Sequence, residues 1–291
     1  MKIATAAYPI DWHNRWSDYT DKKSRWVAEA AGAGADLLVF PEYGAMELAS
    51  LGGKDIAGDL RASIDAVSDR IDEVDTHYAE LAEAHGCYIL ASSAPVRVGD
   101  KAVNRSRFFA PSGAMVVQDK QIMTRFEREQ WGISPGNPLQ VIETAFGTVG
   151  ILICYDSEFP LLARALSECD ILLMPSCTDA LAGYWRVRIG TMARALEQQC
   201  IGVMASTVGD AAWSPAVDAN VGAGGVFCPP DRGFPSTGVL AEGTLNVPGW
   251  TYAEVDLGRV DEVRKDGQVL NRAHWNDQYE RDTLVTKVQL T

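Results

Sequence analysis

The sequence predicts an α/β fold with a mixed β-sheet. Short apolar runs of strand length alternate with longer amphipathic stretches through the first two thirds of the chain, the pattern of strands covered by helices. Two other apolar runs flank a short turn that contains glycine, which adds antiparallel pairing to the sheet. Of the 291 residues, 47% are apolar, so the chain has enough hydrophobic surface to bury a large core.

The predicted strands are apolar runs bounded by turn residues, as is typical of strands buried in a sheet. They span residues 2–7, 36–40, 87–92, 149–154, 171–175 and 201–206. The hairpin is predicted from residues 107–110 and Met115–Asp119, which flank Pro111-Ser112-Gly113. Two shorter strands, 225–228 and 239–241, lie in a stretch rich in Gly and Pro from 213 to 248, which we expect to consist mainly of loops.

Four helices are predicted between these strands. The clearest lies in the segment 59–85, where apolar residues recur at spacings of three and four and Gly86 ends the pattern. These residues are Ile64, Val67, Ile71, Val74, Tyr78 and Leu81. The other three helices fit residues 17–31, 158–168 and 184–199.

No repeat or linker interrupts the chain, so we expect a single domain at 1–265. A polar tail at 266–291 follows, with Trp275 and Tyr279 scattered in it. Such a tail has little apolar surface of its own, and we expect it to be ordered only where it lies on another surface, such as a subunit interface.

Charge and composition exclude several classes of partner. The chain has 26 Lys and Arg against 39 Asp and Glu, a formal charge of −13, which argues against nucleic acid or an anionic membrane. Its apolar runs are far shorter than the ~20 residues that span a bilayer. Pro9 and Asp11 interrupt the apolar start before a signal peptide forms, so a first strand is the better interpretation. Six cysteines without a CxxC pair favour a reducing, cytoplasmic location.

The common cofactor and metal motifs are missing from the sequence. The four histidines, His13, His77, His85 and His274, have no metal-ligand spacing. The glycines at 222–225 do not form a dinucleotide-binding or phosphate-binding loop, and there is no GxSxG elbow. We therefore predict no metal and no cofactor.

Cys154 differs from the other cysteines in its local sequence. It ends the apolar run 150–153, and the residues 155–160 then change at once to types that begin helices, with Asp156 or Ser157 able to cap and Pro160 suited to a first turn. This predicts a thiol beside a helix N-terminus, where the dipole favours a thiolate and stabilises an oxyanion. A cysteine packed in the core is the alternative.

Two charged residues follow other predicted strands. Glu42 comes directly after a buried strand, where apolar surroundings raise the pKa of a carboxyl and make it a usable base. Lys120 follows the strand Met115–Asp119. Taken alone, each fits an ordinary loop. A Glu, a Lys and a Cys at the C-terminal ends of three strands is the arrangement in which an α/β sheet gathers catalytic groups.

The segments FPEY (40–43), DK (119–120) and CYDSEFP (154–160) resemble, in this order and spacing, the Glu-Lys-Cys signature of the nitrilase superfamily of carbon-nitrogen hydrolases. The resemblance extends from the first strand to about residue 206, with compatible sequence to about 258. It implies a four-layer αββα sandwich with mixed sheets, association as homodimers or larger homo-oligomers, and thiol chemistry without a cofactor on a small-molecule amide.

The resemblance also implies a role for each residue. Cys154 would be the nucleophile, Glu42 the general base, and Lys120 the cation that stabilises the tetrahedral intermediate together with the Tyr155 N–H. A second glutamate follows the lysine in this family. The ER…WG arrangement favours Glu127, whereas counting back from Pro135-Gly136 favours Glu129; we choose Glu127.

Tyr155-Asp156 after the nucleophile resembles the amide-hydrolysing branches rather than nitrilases, which have Trp-Glu there. Nitrilase and N-carbamoyl hydrolase are the alternatives, as are acyl transfer to an amine and a catalytically silent scaffold. In ω-amidases an Arg stands where this chain has Glu158, which favours a substrate with an amine or neutral tail unless Arg186 or Arg188 supplies a cation.

Residues on loops and helix starts near these strand ends are expected to form the pocket, because aromatic bodies with polar tips suit small-molecule sites. The predicted substrate-binding residues are Tyr43, Tyr155, Glu158, Cys177, Thr178 and Trp185. Packing in the core or capping is the alternative for each. Cys177 also follows an apolar strand and is a rival nucleophile, but no helix-start sequence follows it.

Overall fold

The computed structural model describes residues 1–281 and 283–290. Its strands are β1 (Lys2–Pro9), β2 (Leu37–Val39), β3 (Tyr88–Val98), β4 (Lys101–Phe109), β5 (Met115–Asp119), β6 (Ile133–Ser134), β7 (Ile142–Thr144), β8 (Gly147–Ile151), β9 (Ile171–Ser176), β10 (Ile201–Asp210), β11 (Ala219–Asn220), β12 (Gly225–Phe227), β13 (Val239–Glu242) and β14 (Gly249–Glu254). Its α-helices are α1 (Trp16–Gly32), α2 (Lys54–Ala57), α3 (Leu60–Ser68), α4 (Ile71–His85), α5 (Pro160–Ala165), α6 (Leu181–Gln198) and α7 (Leu257–Asp266). Short 3-10 helices span Gly44–Gly52, Cys154–Glu158 and Ala273–Gln278, and a π-helical turn spans Glu127–Trp131.

The strands join in a mixed sheet of order β5-β4-β3-β2-β1-β10-β9-β8-β7. The central neighbours from β3 to β8 run parallel. Antiparallel pairs join β4 to β3, β5 to β4, β7 to β8 and β14 to β1, and β6 pairs parallel with β4. Parallel strands connected through helices, with a hairpin at the edge, are what the sequence predicts. The α/β class with a mixed sheet is therefore confirmed.

The sheet divides into two facing halves at the junction of β1 and β10. These strands pair only through residues 7–9 and 206–208, while the first part of β1 pairs with β14 and the first part of β10 pairs with β12. Because β1 and β10 pair over only these three residues and are separated along their first parts, the halves of the sheet can stack on each other. Helices then cover the outer face of each half, which gives the expected αββα layers.

Alternation along the strands sends side chains to two separate cores. Leu37 and Val39 point into the core between the two halves of the sheet, together with Ile3 and Ile151, whereas Leu38 packs on the other face beneath the helices. Burying a large apolar side chain stabilises the fold by about 1.5–3 kcal/mol. A one-residue slip of β2 would exchange its two faces, so packing fixes the strand end that precedes Glu42.

Two predicted helices differ from the observed ones. The segment 59–85 forms two helices, α3 and α4, because the chain turns at Asp69-Arg70. The spacing of four from Val67 to Ile71 continues across that turn, so periodicity alone does not reveal it. The helix expected at 158–168 shortens to α5, because a 3-10 turn occupies the preceding residues.

The end of the chain lies partly on the domain. The Arg164 guanidinium packs on the side chain of Trp275, and its Cζ lies 4.6 Å from the centre of the Trp275 ring. The side chains at 283–290 are exposed. The predicted tail includes residues 282 and 291, which lie outside the described residues. Within the described part of the chain, no helix has the length and hydropathy needed to cross a membrane.

Candidate active site

Glu42, Lys120 and Cys154 lie close together although they are far apart in the sequence. Each follows the end of a strand, β2, β5 and β8 respectively, and each is at most 5% exposed. The Lys120 ammonium donates to Glu42 Oε1 at 2.7 Å and to both carboxylate oxygens of Glu127 at 2.8 and 2.7 Å. A single buried cation thus lies between two carboxylates.

The Glu42 carboxylate is fixed by donors from three elements. Asn104 Nδ2 on β4 donates to Oε1 at 2.8 Å, beside Lys120. The backbone N–H of Cys177, just after β9, donates to Oε2 at 2.9 Å. These contacts hold the carboxylate in one orientation beside Cys154. Sequence reasoning missed Asn104, because only the register of β4 brings this buried amide to Glu42.

The two glutamates have different pKa values because their surroundings differ. Burial raises the pKa of Glu42, and the charge of Lys120 offsets this only in part. Burial also acts on Glu127, but the charge and hydrogen bonds of Lys120, with a bond from Tyr43, lower its pKa overall. Glu42 is therefore suited to exchange a proton, while Glu127 stays ionised.

Lys120 remains charged in this setting. Burial alone lowers the pKa of a lysine, but the charges of Glu127 and Glu42 outweigh it and raise the pKa of Lys120 well above its ordinary value. The ammonium therefore does not act as a base. It supplies a fixed positive charge beside the thiol.

Cys154 does not lie at the N-terminus of an α-helix, contrary to the prediction. It begins the 3-10 turn Cys154–Glu158 with a left-handed φ of 50°, and α5 starts six residues later. A five-residue turn has no substantial dipole to stabilise a thiolate. Burial and then the charge of Glu42 raise the pKa of the Cys154 thiol well above its ordinary value, so the thiol needs a base to become a nucleophile.

The structure distinguishes between the two candidates for the second glutamate. Glu127 is buried, accepts from the Tyr43 hydroxyl at 2.7 Å and from the Thr124 N–H at 2.8 Å, and bonds Lys120. Glu129 is exposed and pairs with Arg125 on the surface. The geometry agrees with the choice of Glu127 as the partner of Lys120.

A cavity of about 670 Å³ opens above Cys154. Four of the six predicted substrate-binding residues, Tyr155, Glu158, Cys177 and Thr178, line it. The other lining residues are Thr124, Arg125, Phe126, Gln130, Asp179, Gly183, Arg186, Val187 and the loop 215–219. That loop was not expected; it connects β10 to β11, and the residues that follow it, Asn220 and Val221, bond Cys177 and Thr178 after β9.

Tyr43 and Trp185 do not line the cavity, which differs from the expectation that they form its wall. Tyr43 lies behind the site, where its hydroxyl bonds Glu127 and its ring packs on Trp131. Trp185 is 47% exposed and lies beside the Arg188 guanidinium. The helix begins at Leu181 rather than 184, and Gly183 and Val187 face inward, which turns position 185 to solvent.

The sequence of the chain is similar to a known family and to several known proteins. A family model described as carbon-nitrogen hydrolase matches residues 2–265. The probable hydrolase YhcX of Bacillus subtilis (strain 168) is 29% identical over 271 residues, covering 92% of this chain. The omega-amidase NIT2 of Mus musculus is 24% identical over 279 residues, covering 88% of this chain and 89% of its own length. The chain spans only 52% of the length of YhcX.

Solved structures agree in fold. A carbon-nitrogen hydrolase from Helicobacter pylori G27 superposes with a TM-score of 0.75 at 18% identity and 98% coverage of both chains. A variant of the amidase from Nesterenkonia sp. AN1 gives 0.74 at 18% identity, with 98% of this chain and 100% of the amidase covered. The match of the family model to residues 2–265 shows that the chain belongs to the carbon-nitrogen hydrolase family.

Proposed function

We propose that the chain hydrolyses the C–N bond of a small-molecule amide through a thioester on Cys154. The observation that carries the proposal is the group around Lys120: one buried ammonium between two carboxylates of opposite pKa shift, beside a thiol that faces a cavity of substrate size. Omega-amidases and an amidase among the similar proteins support this reaction class.

The first half of the reaction forms the thioester. Glu42 removes the proton of Cys154, and the sulfur attacks the amide carbon to form a C–S bond while the carbonyl π electrons move to oxygen. Lys120 and the Tyr155 N–H stabilise that oxygen. Collapse of the intermediate breaks the C–N bond, and Glu42 gives its proton to the leaving nitrogen, so ammonia or an amine departs.

The second half returns the enzyme. Glu42, ionised again, removes a proton from water as its oxygen attacks the thioester carbon. Lys120 again stabilises the oxyanion, the C–S bond breaks, and the proton returns to sulfur as the carboxylic acid leaves. Glu127 stays ionised throughout and holds the Lys120 ammonium beside the reacting oxygen.

Charges in the cavity favour a substrate tail that is neutral or carries an amine. Both lining arginines already have a carboxylate partner: Arg125 pairs with Glu129 at 3.1 Å and Arg186 with Glu158 at 3.3 Å. Asp179 and Asp218 also line the cavity. A carboxylate tail would have to displace a partner from an arginine, whereas an ammonium would meet additional carboxylates.

A substrate panel with covalent trapping tests the proposal. We expect turnover of small amides, slower turnover of matched nitriles and carbamoyl compounds, and a mass increase on Cys154 that corresponds to the acyl group. Cys154→Ala should abolish both turnover and the adduct, while Cys177→Ala should keep the adduct on Cys154. Hydroxamate in place of acid when hydroxylamine is present would indicate acyl transfer, and absence of any adduct would favour a silent scaffold.

A further inference from the structure

Asp156 links the two loops that carry Lys120 and Cys154. Its carboxylate is fully buried and accepts from the N–H of Ile122 at 2.8 Å, of Gln121 at 3.1 Å and of Ile153 at 3.2 Å. Gln121 and Ile122 directly follow Lys120, and Ile153 directly precedes Cys154. The Asp156 side chain thus joins the backbone that directly follows Lys120 to the backbone that directly precedes Cys154.

The geometry points to Asp156 as a positioning residue that sets the distance between the Lys120 ammonium and the Cys154 thiol. This inference rests on the proposed function, because that distance matters only if both groups act on one substrate. A carboxylate suits the position, since its two oxygens offer several acceptor sites to three donors, whereas the side-chain amide of an asparagine would place an NH₂ against N–H groups.

The turn that carries Cys154 needs such support. Cys154 has a left-handed φ of 50°, a conformation that persists in a residue with a Cβ only where its surroundings fix it. Asp156 holds the residue before it, and Ser157 Oγ donates to the Cys154 carbonyl at 2.6 Å. On the far side, a Cβ at Gly190 of α6 would lie only 2.9 Å from the Ser157 carbonyl oxygen, so the helix backs the turn closely.

Asp170 provides a matched control at the other end of the same strands. Its carboxylate also joins separate segments, since it accepts from the Thr148 N–H at 2.9 Å, from the Thr148 hydroxyl at 3.0 Å and from the Arg264 guanidinium, near the starts of β8 and β9. It does not line the cavity and bonds no residue next to Lys120 or Cys154. Asp170→Asn therefore disturbs an aspartate that also has three donors, of mixed kinds, away from the reacting groups.

The experiment compares Asp156→Asn with Asp170→Asn in the full chain. For Asp156→Asn we expect kcat to fall about 10- to 100-fold with KM changed less than about threefold, because a small misplacement of reacting groups slows the chemical step more than binding. For Asp170→Asn we expect a lowered unfolding temperature with kcat within about twofold of the parent. Equal losses of kcat in the two variants, or an unchanged kcat in Asp156→Asn, would overturn the inference.

Alkylation of Cys154 by iodoacetamide, followed by mass spectrometry of its peptide, gives a readout without substrate. Burial raises the pKa of this thiol, so a loosened turn should move the pH dependence of alkylation towards that of an ordinary exposed cysteine. This readout separates failure of the inference from failure of the proposed function. If Asp156→Asn does not fold, Ser157→Ala tests the same turn: a several-fold loss of kcat at constant KM supports the inference, and no loss contradicts it.

Discussion

The described residues contain two buried Glu–Lys clusters whose central glutamates, Glu42 and Glu47, are five residues apart in sequence. The first is Glu42 with Lys120 and Glu127. The second is Glu47, which accepts from Lys23 Nζ at 2.7 Å, from the Tyr8 hydroxyl at 2.8 Å and from Lys22. Both glutamates are almost fully buried, yet the first cluster has two buried carboxylates for one ammonium, and the second has one buried carboxylate for two, with the exposed Asp11 carboxylate 2.7 Å from Lys22 Nζ.

This ratio of charges decides what each cluster can do. The excess of negative charge around Lys120 leaves the pKa of Glu42 raised by burial, so that carboxylate can take up and release a proton. The excess of positive charge around Glu47 lowers its pKa despite burial, and burial lowers the pKa of Lys23 to about 8. The first arrangement suits acid-base chemistry, while the second joins α1 to the 3-10 helix after Glu42.

Glu42→Gln should have the largest effect on activity. The amide keeps the shape of the side chain and one acceptor oxygen but cannot take the proton of Cys154. Loss of a general base lowers turnover by about 10²- to 10⁴-fold, with the fold retained. Steady-state kinetics on an amide substrate, with circular dichroism to check the fold, measures this. Activity within tenfold of the parent would show that Glu42 is not the general base.

Glu47→Gln should have the opposite effect, a loss of stability with turnover nearly unchanged. Removing the carboxylate leaves two buried ammonium groups without their common partner, and breaking a buried ion pair in this way costs about 3–5 kcal/mol of stability. Where the variant is still folded, kcat should stay near the parent value, since Glu47 bonds neither Lys120 nor Cys154. Urea unfolding and kinetics on the same preparation test both parts. A loss of kcat as large as that of Glu42→Gln would show that both clusters, and not only the first, are needed for turnover.

The sequence predicts the first cluster far better than the second. Glu42, Lys120 and Cys154 each come at the end of a predicted apolar strand, and their motifs and order resemble the Glu-Lys-Cys signature, which together select them. Lys22 and Lys23 lie among polar residues of α1, where nothing local distinguishes them from a solvated face, and Glu47 lies in the mainly apolar segment Gly44–Gly52 without a sequence neighbour of opposite charge. Their burial results from packing of α1 against the sheet, a contact between distant segments that periodicity does not specify.

The same limit explains the errors in the pocket. Tyr155 and Glu158, one and four residues after Cys154, line the cavity as predicted. Tyr43 follows Glu42 but has a left-handed φ of 53°, so its neighbour in sequence does not indicate where its side chain lies. The loop 215–219 reaches the wall because the residues after it, Asn220 and Val221, bond Cys177 and Thr178, 43 residues earlier in the chain. Position along a strand or helix can be deduced from sequence, but the register of distant segments cannot.

The smallest expected effect is a difference in sign between the two glutamates in the pH dependence of stability. The pKa of Glu47 is lowered in the folded state, so its contribution is present above about 4.5, the usual value, and is lost as the pH falls. The pKa of Glu42 is raised, so the folded state holds more protons than the unfolded state above 4.5 and its contribution declines as the pH rises. A single group changes the free energy of unfolding by at most about 1.4 kcal/mol per pH unit. Urea midpoints from pH 3.5 to 7 should therefore show a weaker loss of stability towards acid in Glu47→Gln than in the parent, and a stronger loss in Glu42→Gln. Parallel pH profiles for the two variants would mean that the charge ratio does not set the two pKa values apart.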